Sequence, residues 1–164
     1  MSEGVEVRLP NQGRVHDAWV AHHERLWRAL LAWSGDRDVA SDALAEAFAQ
    51  AIRRGEAIDD VGRWVWRAAF RIAGGSLVDR QRTSGSLPRS EGPDERILPD
   101  EAVVLIDALG RLGAAERELV VFSVVGGWPA AEIGALLDIR PGTVRVRLHR
   151  AMTKLRTLLE DHDD

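Results

Sequence analysis

Apolar residues recur every three or four positions through most of this chain, and the pattern lapses over one long stretch, residues 83–101, TSGSLPRSEGPDERILPDE. A three-to-four spacing gives each segment one buried face when it coils into an α-helix. The stretch that breaks it holds three prolines and two glycines in a polar majority, the composition of an extended tether. The chain therefore reads as two blocks of helices with a linker between them. Abundant Ala, Leu and Arg and few β-branched runs point the same way. With 164 residues and 45% hydrophobic content, two small domains have enough apolar material for a core.

In the first block, Val15, Trp19, His22, Leu26, Leu30 and Trp33 form the inner face of a helix that SGDRD ends. A second helix runs from about residue 39 to 54, with Ala40, Ala43, Leu44, Ala47, Phe48, Ala51 and Ile52 inward. Residues 55–62 read as a loop, and a third helix starts near Asp60 and carries Val61, Trp64, Val65, Ala68, Phe70 and Ile72. Gly74 and Gly75 together cost about 2 kcal/mol against alanine inside a helix, so a bend or a close packing contact is expected there. In the second block, helices are predicted over 102–112, 115–125 and 130–137, with Pro129 at the opening of the last, where its missing N–H costs nothing. A final helix opens at Pro141-Gly142-Thr143.

Charge is uneven in a telling way. The formal net charge is −4, yet residues 140–156 carry six positive side chains and no acid. At 100° per residue, Val144, Leu148, Ala151, Met152, Leu155, Leu158 and Leu159 fall on one side of the final helix. Val146, His149, Arg150 and Thr153 fall opposite, with Arg145 and Arg156 along one shoulder and Arg147 and Lys154 along the other. Such a helix fits a major groove, its shoulders on phosphates and its middle on base edges. The short helix 130–137, the turn Asp138-Ile139-Arg140 and the final helix have the length and apolar spacing of a helix-turn-helix, with Ile133, Leu137, Ile139, Val144 and Leu148 inside. Thr143 is suited to cap the second helix. A second basic run lies at 63–82, where Arg63, Arg67, Arg71, Arg80 and Arg82 face one acid, Asp79. Against free-standing DNA binding stands a pI near 5.7, since a negative field opposes phosphate approach.

Other chemistries find no footing. The chain has no cysteine, which removes disulfides and thiolate metal sites. Adjacent His22 and His23 point to different sides of a helix and make no paired metal site. No carboxylate pair, Ser/His/Asp set or phosphate-cradling loop occurs in context, so neither an enzyme nor a cofactor is expected. With no N-terminal apolar run, a cytoplasmic protein without a membrane span is expected.

Taken together, these stretches resemble a bacterial RNA polymerase sigma factor of the extracytoplasmic-function (ECF) group. WPAAEIGALLDIRPGTVRVRLHRAMTKLRTLL is similar to the family's −35-reading element, and LGRLGAAERELVVF to the helix leading into it. SGDRDVASDALAEAFAQAIRR resembles the helix that docks on the polymerase clamp, and RWVWRAAFRIAGGSLVDRQR the basic, aromatic helix that engages the −10 region. The likeness covers about residues 14–82 and 102–159, and the order of both halves is more specific than the C-terminal motif alone.

The resemblance implies an all-α fold of a domain-two-like helical bundle (14–82) and a domain-four-like helix-turn-helix (102–160), joined by an acidic flexible linker (83–101) and flanked by tails at 1–13 and 161–164. It implies −35 contacts from Arg140, Thr143, Arg145, Val146, Arg147, His149, Arg150 and Lys154. For the −10 region it implies Arg63, Trp64, Trp66, Arg67 and Arg71, with the 55–62 loop at the place that captures a flipped base. Trp64 has core spacing with Val61, Val65 and Ala68, which leaves Trp66 as the tryptophan expected to be exposed. Polymerase docking falls to Asp42, Ala45 and Glu46, with Ala45 where glutamine is common. Asp138 replaces the usual turn glycine, and aspartate is among the few residues that tolerate positive φ. The implied partners are core RNA polymerase, promoter DNA and an anti-sigma factor, with the free chain a monomer. Two other readings stay open: a stand-alone helix-turn-helix regulator, and a degenerate sigma-like interaction protein.

Overall fold

The computed structural model describes residues 11–84 and 98–164, with backbone alone for 80–84. All regular structure among the described residues is helical. The N-terminal half is α1 (Gln12–Ser34), α2 (Arg37–Arg54), a 3-10 turn (Gly55–Ala57) and α3 (Val61–Ser84). The C-terminal half is α4 (Asp100–Gly110), α5 (Ala114–Val120), a π turn (Val121–Val125), α6 (Ala130–Leu137) and α7 (Pro141–Asp163). Helices therefore extend into both ends of the predicted linker, whose residues 85–97 lie outside the described ones.

Local chemistry accounts for the boundaries. α1 stops at Gly35, whose φ of 67° sends its N–H back to the Leu31 carbonyl at 2.7 Å. The next residue starts α2: the Asp36 carboxylate accepts the Asp38 and Val39 N–H groups at 2.9 and 3.1 Å. Asp60 does the same for α3, accepting from the Arg63 N–H at 3.0 Å. Asn11, buried, donates to the Ala51 carbonyl at 3.1 Å and ties the start of α1 to the end of α2.

α3 continues as one unbroken helix through Gly74 and Gly75. Close packing does not demand either glycine: a Cβ at Gly74 would sit in ordinary contact, 3.7 Å, with the Trp33 ring, and nothing lies near Gly75. Burial of Val65, Trp66, Ala69, Phe70 and Ala73 along the same helix outweighs the glycine penalty. In the second half, the predicted helix 115–125 is α-helical only to Val120. The π turn then lets Gly126 and Trp128 donate to the Val121 and Phe122 carbonyls at 2.9 and 3.1 Å. Gly126 must be a glycine, since a Cβ would lie 2.7 Å from the Phe122 carbonyl oxygen and 2.9 Å from the Trp66 ring.

The two halves share one apolar core. Trp66 and Phe70 of α3 meet Phe122 at centroid distances of 5.6 and 4.7 Å, and Trp66 meets Trp128 edge-on at 5.5 Å. α1 bridges the halves, packing against α2 and α3 and also against α4 and the π turn, while α3 meets the C-terminal half through Trp66 and Phe70.

Candidate nucleic-acid interface

The C-terminal helix pair is built on a tight turn. α6 ends at Asp138 with φ 55° and ψ 47°, and among the described residues no other non-glycine has positive φ. Ile139 then donates to the Gly134 carbonyl at 3.0 Å. Gly134 is what permits the turn to close: a Cβ there would stand 2.5 Å from the Ile139 carbonyl oxygen, inside any allowed contact. Sequence reasoning missed this residue, although an isolated glycine in a helix of eight is itself a signal of close backbone approach. Pro141 opens α7 with its absent N–H where no helical bond is needed. Thr143 does not cap the helix as expected. Arg140 occupies the cap position, and no side-chain cap bond is made; Thr143, two residues beyond Pro141, is already inside the helix and half-buried.

α7 divides as its wheel predicts. Val144, Ala151 and Leu155 are buried and Leu148, Met152, Leu158 and Leu159 pack against the core. Arg140, Arg145, Val146, Arg147, His149 and Arg150 are exposed, Val146 at 51%. Among the described residues, Arg140, Arg145, Arg147, Arg150 and Arg156 form no ion pair. Lys154 differs from them, since its ammonium pairs with Glu116 at 3.2 Å. That bond, followed by the Gly113 N–H, holds the Glu116 carboxyl below its usual range. Four guanidinium groups on α7 and a fifth at its cap, outside any ion pair among the described residues, make the local basic footprint that an otherwise acidic chain needs to approach phosphate.

The second basic helix is arranged differently. Arg67 and Arg71 are exposed, but the Arg63 guanidinium is bound by Glu132 of α6 and by Asp60. Trp64 is half-buried with the Arg54 guanidinium 5.4 Å above its ring. Trp66, expected to be the exposed tryptophan, is 0% exposed. The reason is the second layer: the side of α3 left open by α1 and α2 is closed by Phe122 and Trp128. The Trp66 indole N–H donates to His22 Nδ1 at 3.2 Å, so that nitrogen carries no proton. The His22 ring stacks on Trp128 at 5.9 Å, with 3° between the planes. Burial, and then the neighbouring Arg25, lower the His22 pKa from its usual 6.5, with Asp60 pulling the other way.

The 55–62 loop is held by Arg14, which donates to the Ile58 and Asp59 carbonyls at 2.5 and 2.7 Å. Its Asp60 is engaged in capping α3. On α2, Asp42, Ala45 and Glu46 are all exposed. Glu46 accepts from Gln50 and Arg53 at 3.0 and 2.8 Å, bonds that lower its pKa. Trp19, placed by its spacing on the inner face of α1, is instead 38% exposed, stacked on His23 at 4.6 Å and edge-on to Phe48. It lies at the rim of the α1–α2 contact, where one side of the ring is left without a partner helix. Among the described residues, no group of three acids, histidines or cysteines is placed to hold a metal. None of the helices described is long and apolar enough to cross a membrane.

Comparison with known proteins agrees with this geometry. The family described as Sigma-70, region 4 matches residues 102–155, the segment from α4 to most of α7. The ECF RNA polymerase sigma factor SigL of Mycobacterium tuberculosis is 33% identical over 152 residues, covering 85% of each chain. The RNA polymerase sigma factor CarQ of Myxococcus xanthus is 33% identical over 158 residues, covering 90% of each. Among solved structures, the sigma factor RpoE in complex with the anti-sigma factor NepR from Bartonella quintana superposes with a TM-score of 0.67, at 20% identity, over 88% of this chain and 96% of that one. The last likeness is one of fold.

Proposed function

The chain belongs to the ECF group of RNA polymerase sigma factors, and from that premise we propose that it directs core RNA polymerase to promoters by reading the −35 element with α7 and opening the −10 region with α3. The observation that carries this reading is the open arginine face of α7. Arg145, Arg147 and Lys154 flank it as phosphate contacts; Val146, His149 and Arg150 meet base edges; Arg140 and Thr143 stand at its entrance. Lys154 reaches DNA on leaving Glu116, an exchange of one exposed ion pair for another.

Around α3, the exposed Arg67 and Arg71 track the backbone of the opened strand, while the half-buried Trp64 offers its ring edge to unpaired bases. Trp66, buried, holds the helix in place. Asp42, Ala45 and Glu46 form the polymerase dock, the carboxylates of Asp42 and Glu46 meeting basic polymerase side chains. The domain limits 14–82 and 102–160 follow this division. A partner of the anti-sigma type, as seen with the structural neighbour, holds the chain inactive. The chain itself makes and breaks no covalent bond in this reading.

The test mixes the pure chain with bacterial core polymerase and genomic promoter fragments and looks for run-off transcripts. Core-dependent transcripts from double-element promoters, with weak DNA binding by the chain alone, are expected. Tight operator binding without polymerase would instead mark a stand-alone helix-turn-helix regulator.

A further inference from the structure

Arg117 of α5 is a half-buried cation without a counter-ion. Its Nη1 donates to the Trp33 carbonyl at 2.8 Å, and the guanidinium lies 5.7 Å over the Trp33 ring. Its Nε is buried with no acceptor, and among the described residues no carboxylate pairs with it. Burial lowers the Arg117 pKa from its usual value, as expected for a cation taken out of water. An exposed arginine loses little by lacking a partner, whereas one that is partly desolvated is costly to leave uncompensated. The carbonyl and the ring offset part of that cost, but neither carries a full negative charge. Trp33 Nε1 is a second buried donor with no acceptor.

The same two residues line a cleft of about 670 Å³ bounded by the end of α1, α3, α4 and α5. Leu77 and Val78 of α3 and Ile106 of α4 supply its apolar wall, and Gly74 sends no side chain across the Trp33 ring. Val78 is 47% exposed, so that wall is open to an incoming molecule. Clefts of about 300–1,000 Å³ with largely apolar walls and a few placed polar groups are the usual form of a small-ligand site. Here the unsatisfied polar groups are both donors, and one of them carries the charge.

We propose that this cleft binds a small amphipathic carboxylate, its acid on the Arg117 guanidinium and its hydrocarbon along Leu77, Val78 and Ile106. The acid meets a guanidinium with bonding capacity to spare, since only Nη1 has an acceptor among the described residues. A cationic or neutral amphiphile would cover the same apolar wall and leave Arg117 uncompensated, so the site selects by charge. A carboxylate without a chain would gain too little from one partly exposed ion pair to be held. None of the lining residues belongs to the −35, −10 or polymerase-docking sets, so the site stands apart from promoter reading and its loss would leave that function untouched.

The probe is octanoate, kept well below the concentration at which it forms micelles, with octylamine and octanol as controls of equal chain length. In an isotope-labelled chain each of the six tryptophans gives an indole N–H resonance. That of Trp33, identified by its loss in Trp33→Phe, is expected to shift saturably with octanoate. Octanoate should bind at least about tenfold more tightly than either control, and Arg117→Gln should abolish that preference. Because Arg117 also holds the end of α1, a second variant is read beside it. Val78→Glu changes an exposed position, should leave the urea midpoint close to that of wild type, and sets a fixed carboxylate in the cleft that weakens octanoate binding by a similar factor. The absence of a saturable shift up to about 10 mM octanoate would overturn the proposal, as would equal binding of the three amphiphiles or unchanged octanoate affinity in both variants. If octanoate fails to bind while Val78→Glu abolishes transcription with core polymerase, the cleft belongs to a protein partner and the proposal falls.

Discussion

α3 and α7 are both basic helices with aromatic or apolar residues among their arginines, yet the molecule treats them in opposite ways. α7 buries one stripe and, among the described residues, leaves its arginines exposed and out of ion pairs. α3 packs against α1 and α2, meets the C-terminal half through Trp66 and Phe70, and has Arg63 and Trp66 bound to residues of other helices. The difference teaches that a charge pattern reports a helix's capacity for nucleic acid, while its availability depends on what packs against it.

The largest expected effect tests the covered side. Trp66→Ala should cost about 3–5 kcal/mol in urea denaturation, as for other large buried aromatics. Trp64→Ala should cost less than half of that, and Arg147→Ala should stay within about 0.5 kcal/mol of wild type. Equal losses for the two tryptophans would erase the contrast between the faces of α3.

Next in size, Gly134→Ala forces the α6–α7 turn open and should destabilise the C-terminal half by about 1–3 kcal/mol. Urea denaturation followed by far-ultraviolet circular dichroism reads this change; an unchanged midpoint would mean that the turn is looser than the 2.5 Å clash implies.

On the open side, Arg150→Ala or His149→Ala should alter −35 base preference by about 1–3 kcal/mol, whereas Arg147→Ala should weaken use of every promoter and lower the salt slope of binding by about one. Transcription from a set of −35 variants separates the two outcomes. Uniform losses from all three substitutions would contradict the division between shoulder and centre.

The smallest effect is one of pH where the two halves meet. With the His22 pKa lowered in the folded chain, the unfolded chain takes up the proton first as pH falls through 6.5. The His22 contribution is therefore whole above that value and declines below it until the folded chain also protonates. Arg25 acts in the same direction and Asp60 against it, while Arg63 and Glu132 line the same cleft as His22 and form a neutralising pair. A His22→Gln chain should lose this component of the acid dependence, and the difference between the two urea midpoints across pH 5–8 measures it. A constant difference would show that His22 senses nothing.

Much of this was legible beforehand because it depends on neighbours in sequence. The helix 130–137, the positive φ of Asp138 and the inner stripe of α7 all follow from periodicity and turn chemistry within a few residues. Thr143 misled because the helix was rightly read as opening at Pro141, yet the cap position falls one residue before that, on Arg140, and leaves Thr143 inside the first turn. Gly134 escaped because its role depends on the path of the chain five residues on. Trp19 was placed inside α1, but the rim of a two-helix contact covers only part of a large ring.

By its sequence alone this chain was bound to form amphipathic helices in two blocks and to carry an excess of arginine on the last of them, since helical period and charge belong to a segment and travel with it. Tertiary structure decided whether a given surface stays open. Trp66 shows why: burial is settled by every element that surrounds a residue, and the rings that close over it come from residues 122 and 128, in the other half of the molecule.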